Sequence, residues 1–110
     1  MTDTTDDMEA GAAMYESFME QKEWRFRNKE WVQKSGTIIK VGAMTDRHIR
    51  NTVSMLLKYN RDRYRHLCLA AATDMKAREQ LEKVERYGWQ DASTRWIAIF
   101  QEEREKREDD

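Results

Sequence analysis

Residues 31–51 read WVQKSGTIIKVGAMTDRHIRN, and two kinds of order meet inside this one stretch. Its first half alternates and turns. Glu30-Trp31-Val32-Gln33 and Thr37-Ile38-Ile39-Lys40-Val41 flank Lys34-Ser35-Gly36, a three-residue loop in which Gly36 tolerates positive φ. Its second half opens a helix. The Thr45 hydroxyl is placed to accept from the N–H of Arg47 or His48, and Asp46 in the first turn complements the positive end of the helix dipole. A hairpin that feeds a helix start puts the chain in the α+β class. It also loads Arg47, His48, Arg50 and Asn51 onto one helix N-terminus.

Downstream, Ile49, Val53, Leu56, Asn60, Tyr64, Leu67, Ala71 and Met75 form one stripe in steps of three and four, without Gly or Pro between Ala43 and Gly88. The segment 45–87 is therefore a single helix of about 40 residues, or two helices jointed near Asn60 or at Thr73-Asp74. A helix of that length in a chain this short protrudes, and it would bury its stripe in a coiled-coil-like pairing, so a homo-oligomer is expected. Gly88 is a C′ residue, and Asp91 or Ser93 caps a final helix over 91–108 with Trp89, Ala92, Trp96, Ile99 and Phe100 on one face.

Upstream, residues 1–6 read as a loose polar start. Asp6 and Glu9 fit a capping box, and Met8, Ala12, Tyr15, Phe18 and Met19 recur at helical spacing, which predicts an N-terminal helix over 7–22. Trp24 and Phe26 then alternate with Glu23, Arg25 and Arg27, as in a half-buried strand. Residues 23–41 thus read as a small antiparallel β-meander of two or three strands, which needs a helix to pack against.

The 110 residues make one small domain. Charged residues are 37% of the chain and its mean hydropathy is -1.02, yet four Trp, four Tyr, three Phe and seven Met exclude a disordered polymer. The single cysteine, Cys68, excludes an internal disulfide and a Cys-rich metal site. Lying in the apolar run His66-Leu67-Cys68-Leu69-Ala70, it reads as a buried small hydrophobe in a reducing cytoplasm. With no long apolar stretch and no charged-then-apolar leader, the expectation is a soluble, cytoplasmic protein without a membrane partner. The net charge of -1 conceals an asymmetry: residues 22–66 carry 12 Lys/Arg against 4 Asp/Glu, a net of +8, and the remainder a net of -9. A basic middle between acidic ends points to an anionic ligand or to self-pairing contacts.

Catalytic constellations are missing from the sequence. There is no G-x-G-x-x-G, Walker loop, nucleophile elbow or H-x-x-x-H, and His48 and His66 stand five helical turns apart. The reading is a non-enzyme without metal or cofactor. What remains is binding chemistry. A helix N-terminus favours anions, Arg47 and Arg50 add full charges, Asn51 adds an amide that can read a base or ribose edge, and His48 can donate to a phosphate. Aromatic and basic residues interleave at Trp24-Arg25-Phe26-Arg27 and at Arg61-Asp62-Arg63-Tyr64-Arg65-His66, a combination that holds bases and phosphates, although the rings also sit at core-periodic positions. The acidic ends and a pI near 6.2 argue against nucleic acid as the partner.

The run W-V-Q-K-S-G-T-I-I-K-V-G-A-M-T-D-R-H-I-R-N-T-V-S-M-L resembles small phage and prophage proteins in which W-x-x-x-x-G-x-x-I-x-V leads into M-T-x-x-H-I-x-N, and the ending W-I-A-I-F-Q-E-E-R-E-K-R is similar to theirs. Together the two blocks cover about a third of the chain. The chain resembles in particular the Thoeris anti-defence sponges, phage proteins that sequester glycosylated cyclic ADP-ribose signals without cleaving them. The resemblance implies an oligomeric binder of a cyclic nucleotide or ADP-ribose-type signal, acting in the host cytoplasm. It makes Asn51 the ligand-contacting asparagine, and it assigns the ligand-contacting arginine to Arg104 or Arg107. The family's hairpin aromatic has no clear match; Val41 stands in its region, and Trp31 or Phe26 would supply the ring. The competing reading is a phage interaction module that inhibits a host enzyme by direct binding through the long helix and acidic ends.

Overall fold

The structure is a computed structural model and describes residues 22–108. The loose start and the helix expected over 7–22 lie outside the described residues. In chain order the elements are α1 (Glu23–Asn28), β1 (Glu30–Val32), β2 (Ile38–Lys40), a 3-10 turn (Val41–Ala43), α2 (Asp46–Ala71), α3 (Met75–Tyr87) and α4 (Ala92–Glu108). Among the described residues, helices and one two-stranded antiparallel sheet make an α+β arrangement.

Residues 23–28 form a helix, not the first strand of a meander. Glu23 in the first turn and Arg25 and Arg27 in the last suit the helix dipole. Lys29 ends the helix in the left-handed region at φ 54°, its N–H returning to the Arg25 and Phe26 carbonyls. Only Phe26 turns inward, while Trp24 is 44% exposed beneath the Arg25 guanidinium. With one inward residue in six, period 2 and period 3.6 place the buried ring equally well, and the short stretch alone could not separate them. The Glu23 carboxylate takes both Nη atoms of Arg95 at 2.7 Å, which fastens α1 to α4 and holds the Glu23 carboxyl below its ordinary value.

The hairpin pairs Glu30 with Lys40, Trp31 with Ile39 and Val32 with Ile38. Its turn closes through Gly36 N–H to the Gln33 carbonyl and Gln33 N–H to the Thr37 carbonyl, both at 2.8 Å, with Gly36 at φ 90°. The register turns Trp31 inward. Phe26, Trp31, Val41, Met44, Ile49, Val53, Leu56, Trp96 and Phe100 make the core. Four of these rings interlock: Trp96 lies 4.9 Å from Phe26, 5.1 Å from Trp31 and 5.8 Å from Phe100, and Trp31 meets Phe100 edge-on at 5.3 Å.

The long helical segment breaks at Thr73-Asp74 and runs unbroken through Asn60. Asp74, in extended backbone, caps α3 by accepting from Lys76 N–H at 3.0 Å. Small Ala71 and Ala77, both buried, let the two helices close at the corner, and the Arg78 side chain donates to the Ala71 carbonyl there. Across the pair the Tyr64 hydroxyl donates to Glu85 at 3.0 Å, and this bond, with Cys68 nearby, pushes the phenol up to about 12. The break also alters the stripe. Met75, in phase with Ala71 on a continuous helix, is 73% exposed once the axis turns. Cys68 is exposed rather than buried, because Leu67 and Ala71 take the inward positions and leave it on the outer side of α2. Among the described residues no helix is long and apolar enough to cross a membrane.

Candidate functional site

The start of α2 and the end of α4 come together. The Thr45 hydroxyl accepts from His48 N–H at 3.0 Å and completes the cap. Arg107, in the last turn of α4, straps this start in place. Its Nη1 donates to Asp46 at 2.6 Å, its Nη2 to the Met44 carbonyl at 2.7 Å, and its Nε to Glu103 at 3.1 Å. The Val41 and Gly42 carbonyls lie at 3.4 Å from the same Nη2. The 3-10 turn leaves these carbonyls without strand partners, and a planar cation with five donors satisfies several of them at once. Arg107 is therefore mainly a structural clamp. Arg107→Ala is expected to lower stability by about 1 kcal/mol, since its bonds are charge-assisted but a quarter of its side chain is wet. Chemical denaturation would show this, and an unchanged midpoint would refute the clamp.

Beyond the clamp, Asp46, Arg50, Arg104, Arg107 and Glu108 line an open cleft of about 330 Å³. Asp46 is engaged by Arg107. Among the described residues, Arg50 and Arg104 form no ion pair, and both face solvent. Two uncommitted guanidinium groups from different helices, beside the positive end of α2, can grip an anion from two directions.

The residues singled out from the sequence divide into three groups. Arg50, Arg104 and Arg107 are brought to one cleft although 54 positions separate the first two. Arg47 and Asn51 are exposed on other sides of the first turns of α2, and half-buried His48 has its N–H taken by Thr45 and its carbonyl by Thr52 Oγ1 at 2.8 Å; none of the three lines the cleft. Trp31 and Phe26, 1% and 7% exposed, are built into the aromatic core, where their faces meet other rings of this chain instead of a stacked base. Among the described residues there is no group of three His, Cys, Asp or Glu that could hold a metal ion.

A second polar constellation sits inside the fold. Arg63 donates to both Asp91 oxygens, at 2.7 and 3.2 Å, and to Ser93 Oγ at 2.9 Å. Its guanidinium lies 3.6 Å from the centre of the Trp89 ring and 4.7 Å from that of Tyr59. Asp91 in turn accepts from Ser93 N–H at 3.1 Å and Ser93 Oγ at 2.6 Å, so it caps α4 while pinning it to α2. Burial alone would raise the Asp91 carboxyl, but the bonds from Arg63 and Ser93 and the guanidinium charge outweigh it and hold the group below its ordinary value. Sequence reading offered Asp91 or Ser93 as the cap and missed Arg63 as the partner of both. The available signal was that Arg63 falls in step with Leu56, Asn60 and Leu67 on the inward side of α2, where a cation requires a counter-charge.

Comparison of the chain with protein-family models, with curated proteins and with solved structures finds no match in any of the three.

Proposed function

We propose that this protein is a non-catalytic binder of a phosphorylated anionic ligand, of the cyclic nucleotide or ADP-ribose class, and that it works by sequestration. The observation that carries the reading is the pairing of Arg50 from α2 with Arg104 from α4 over one open cleft, neither of them ion-paired among the described residues. Arg107 lines the same cleft, and Arg47, His48 and Asn51 belong to the first turns of α2 outside it. A sponge needs tight holding and no general base. The resemblance of the M-T-x-x-H-I-x-N block and the closing helix to phage anti-Thoeris proteins supplies the biological setting: a counter-defence protein in the host cytoplasm, assembled as a homo-oligomer.

Thermal shift against cyclic nucleotides and cyclic ADP-ribose isomers tests this directly. A ligand at about 100 times its dissociation constant adds about 2.7 kcal/mol, several degrees for a domain of this size. The shift is expected to disappear in Arg50→Ala/Arg104→Ala and to shrink in Asn51→Ala. No shift with any compound of the panel would overturn the reading. A protein-interaction module is the second reading, favoured by Leu69, Met75 and Tyr87, which are 75%, 73% and 65% exposed on α2 and α3. It requires binding to a host protein that survives the Arg50/Arg104 change and is lost on charge reversal along 79–86.

A further inference from the structure

We propose that the outward face of α2 binds the sugar-phosphate backbone of double-stranded DNA without reading its sequence. That face carries Arg47, Arg50, Lys58, Arg61 and Arg65, all exposed. At 3.6 residues per turn and 1.5 Å per residue they fall within about 80° of the helix circumference, in a row about 27 Å long. Among the described residues none of the five forms an ion pair. Of the two carboxylates in α2, Asp46 is taken by Arg107, and Asp62 stands at the edge of the row and pairs with none of the five. Arg104 of α4 shares a cleft with Arg50 and adds a further cation at the N-terminal end of the row.

The pI near 6.2 averages over the whole chain and conceals this surface. Residues 22–108 hold 20 Lys/Arg against 13 Asp/Glu, a net of +7, and a polyanion responds to the charge that faces it. The spacing within the row selects among polyanions. Arg47 and Arg50 stand at one end and Lys58, Arg61 and Arg65 at the other, with about 12 Å between the two groups. The major groove of B-form DNA is also about 12 Å wide. Laid across that groove, α2 brings each group to the phosphates of one strand. Ser54, the exposed residue of this face between the groups, is small enough to allow the approach.

Other polyanionic partners fit this face less well. A single strand is held by aromatic rings on which its bases stack. The two aromatics of α2 are engaged elsewhere, Tyr59 beneath the Arg63 guanidinium and Tyr64 on Glu85 of α3. A helix lying on an anionic membrane sinks a broad apolar face into it. Here only Leu57 beside the row and Leu69 past its end are exposed and apolar. Four of the five cations are arginines, whose planar forks match phosphate oxygens in pairs. The proposal does not rest on the nucleotide reading, and Lys58, Arg61 and Arg65 lie outside the cleft of Arg50 and Arg104.

Fluorescence anisotropy of a labelled 20-base-pair DNA duplex of mixed sequence, titrated with the full chain between about 50 and 200 mM salt, tests this. The expected Kd lies between about 1 and 100 μM at physiological salt, and log Kd should rise with log salt at a slope of about 4.5, or 0.9 for each of five phosphates. Neutralising Lys58, Arg61 or Arg65 singly to Gln should lower the slope by about 1 and weaken all sequences alike. Lys58→Gln/Arg61→Gln/Arg65→Gln should bring the slope to about 1.8 and cost at least tenfold in affinity. Lys58→Arg/Arg61→Lys/Arg65→Lys, which changes the same positions but keeps their charge, should hold the wild-type slope. No binding at 50 mM salt overturns the proposal, and so does a triple Gln variant that binds like the wild type. Tighter binding to the separated single strand, to polyglutamate or to vesicles containing phosphatidylserine also overturns it, because each assigns the face to another class of partner.

Discussion

Trp96→Ala is expected to remove about 3–5 kcal/mol of stability, much of the 5–15 kcal/mol that holds a small domain folded. Trp96 is fully buried and its ring touches Phe26, Trp31 and Phe100, so α1, the hairpin and α4 all lose a contact when it goes. The rigid neighbours cannot collapse into the space, and the cost approaches the upper end for an aromatic truncation. Trp96→Phe should cost much less than the lost volume implies. The Trp96 Nε1–H is buried without an acceptor among the described residues, and phenylalanine removes that donor along with the larger ring. Urea denaturation followed by far-ultraviolet circular dichroism would rank the two variants. A phenylalanine variant as unstable as the alanine one would contradict this account of the core.

Asp91→Ala comes next in size, at about 2–3 kcal/mol. Breaking a buried pair by removing one partner costs more than the pair contributes, because the other charge stays behind in low dielectric. Here Arg63 would remain only 18% exposed between Trp89 and Tyr59, with Ser93 as its last hydrogen-bonding partner. Some water reaches both side chains, which keeps the expected loss below that of a dry pair. Arg63→Met combined with Asp91→Ala should therefore be less damaging than the sum of the single changes, since no charge is stranded. A double-mutant cycle that came out additive would sink the pin.

The pin also gives stability a pH dependence. The folded Asp91 carboxyl sits below its ordinary value of 3.8, so the unfolded chain binds the proton more readily. The contribution is present in full well above that value and is lost as pH falls through the lower folded value. Relative to the wild type, Asp91→Asn should flatten the acid limb of a stability profile and leave the neutral region parallel. A wild type and an Asp91→Asn protein with the same acid limb would mean that the carboxylate makes no net contribution.

Local signals were legible where one short-range interaction decides the backbone. Gly36 takes the positive φ of a three-residue loop, Thr45 caps α2, and Asp91 caps α4, and each can be read from residues within a few positions. The inward stripe of α2 through Ile49, Val53 and Leu56 followed from period alone. Reading failed where two local solutions were nearly equal. Trp24-Arg25-Phe26 fits a strand or a turn of helix, and the 45–87 segment allowed more than one joint. Tertiary contacts broke both ties, through Phe26 against Trp96 and through close approach at Ala71 and Ala77.

By itself, then, the sequence determined the hairpin-to-helix passage, the amphipathic face of α2, and a helix start rich in cations, because all three rest on neighbours along the chain. The tertiary structure alone decided which cations are paired among the described residues. Arg107 and Arg63 are indistinguishable by composition from Arg104 and Arg61, but Met44, Asp46 and Glu103 take up the first and Asp91 and Ser93 the second. Long-range pairing removes a charge from the binding repertoire, and spacing along a chain carries no record of it, since all of these partners except Glu103 lie tens of residues away.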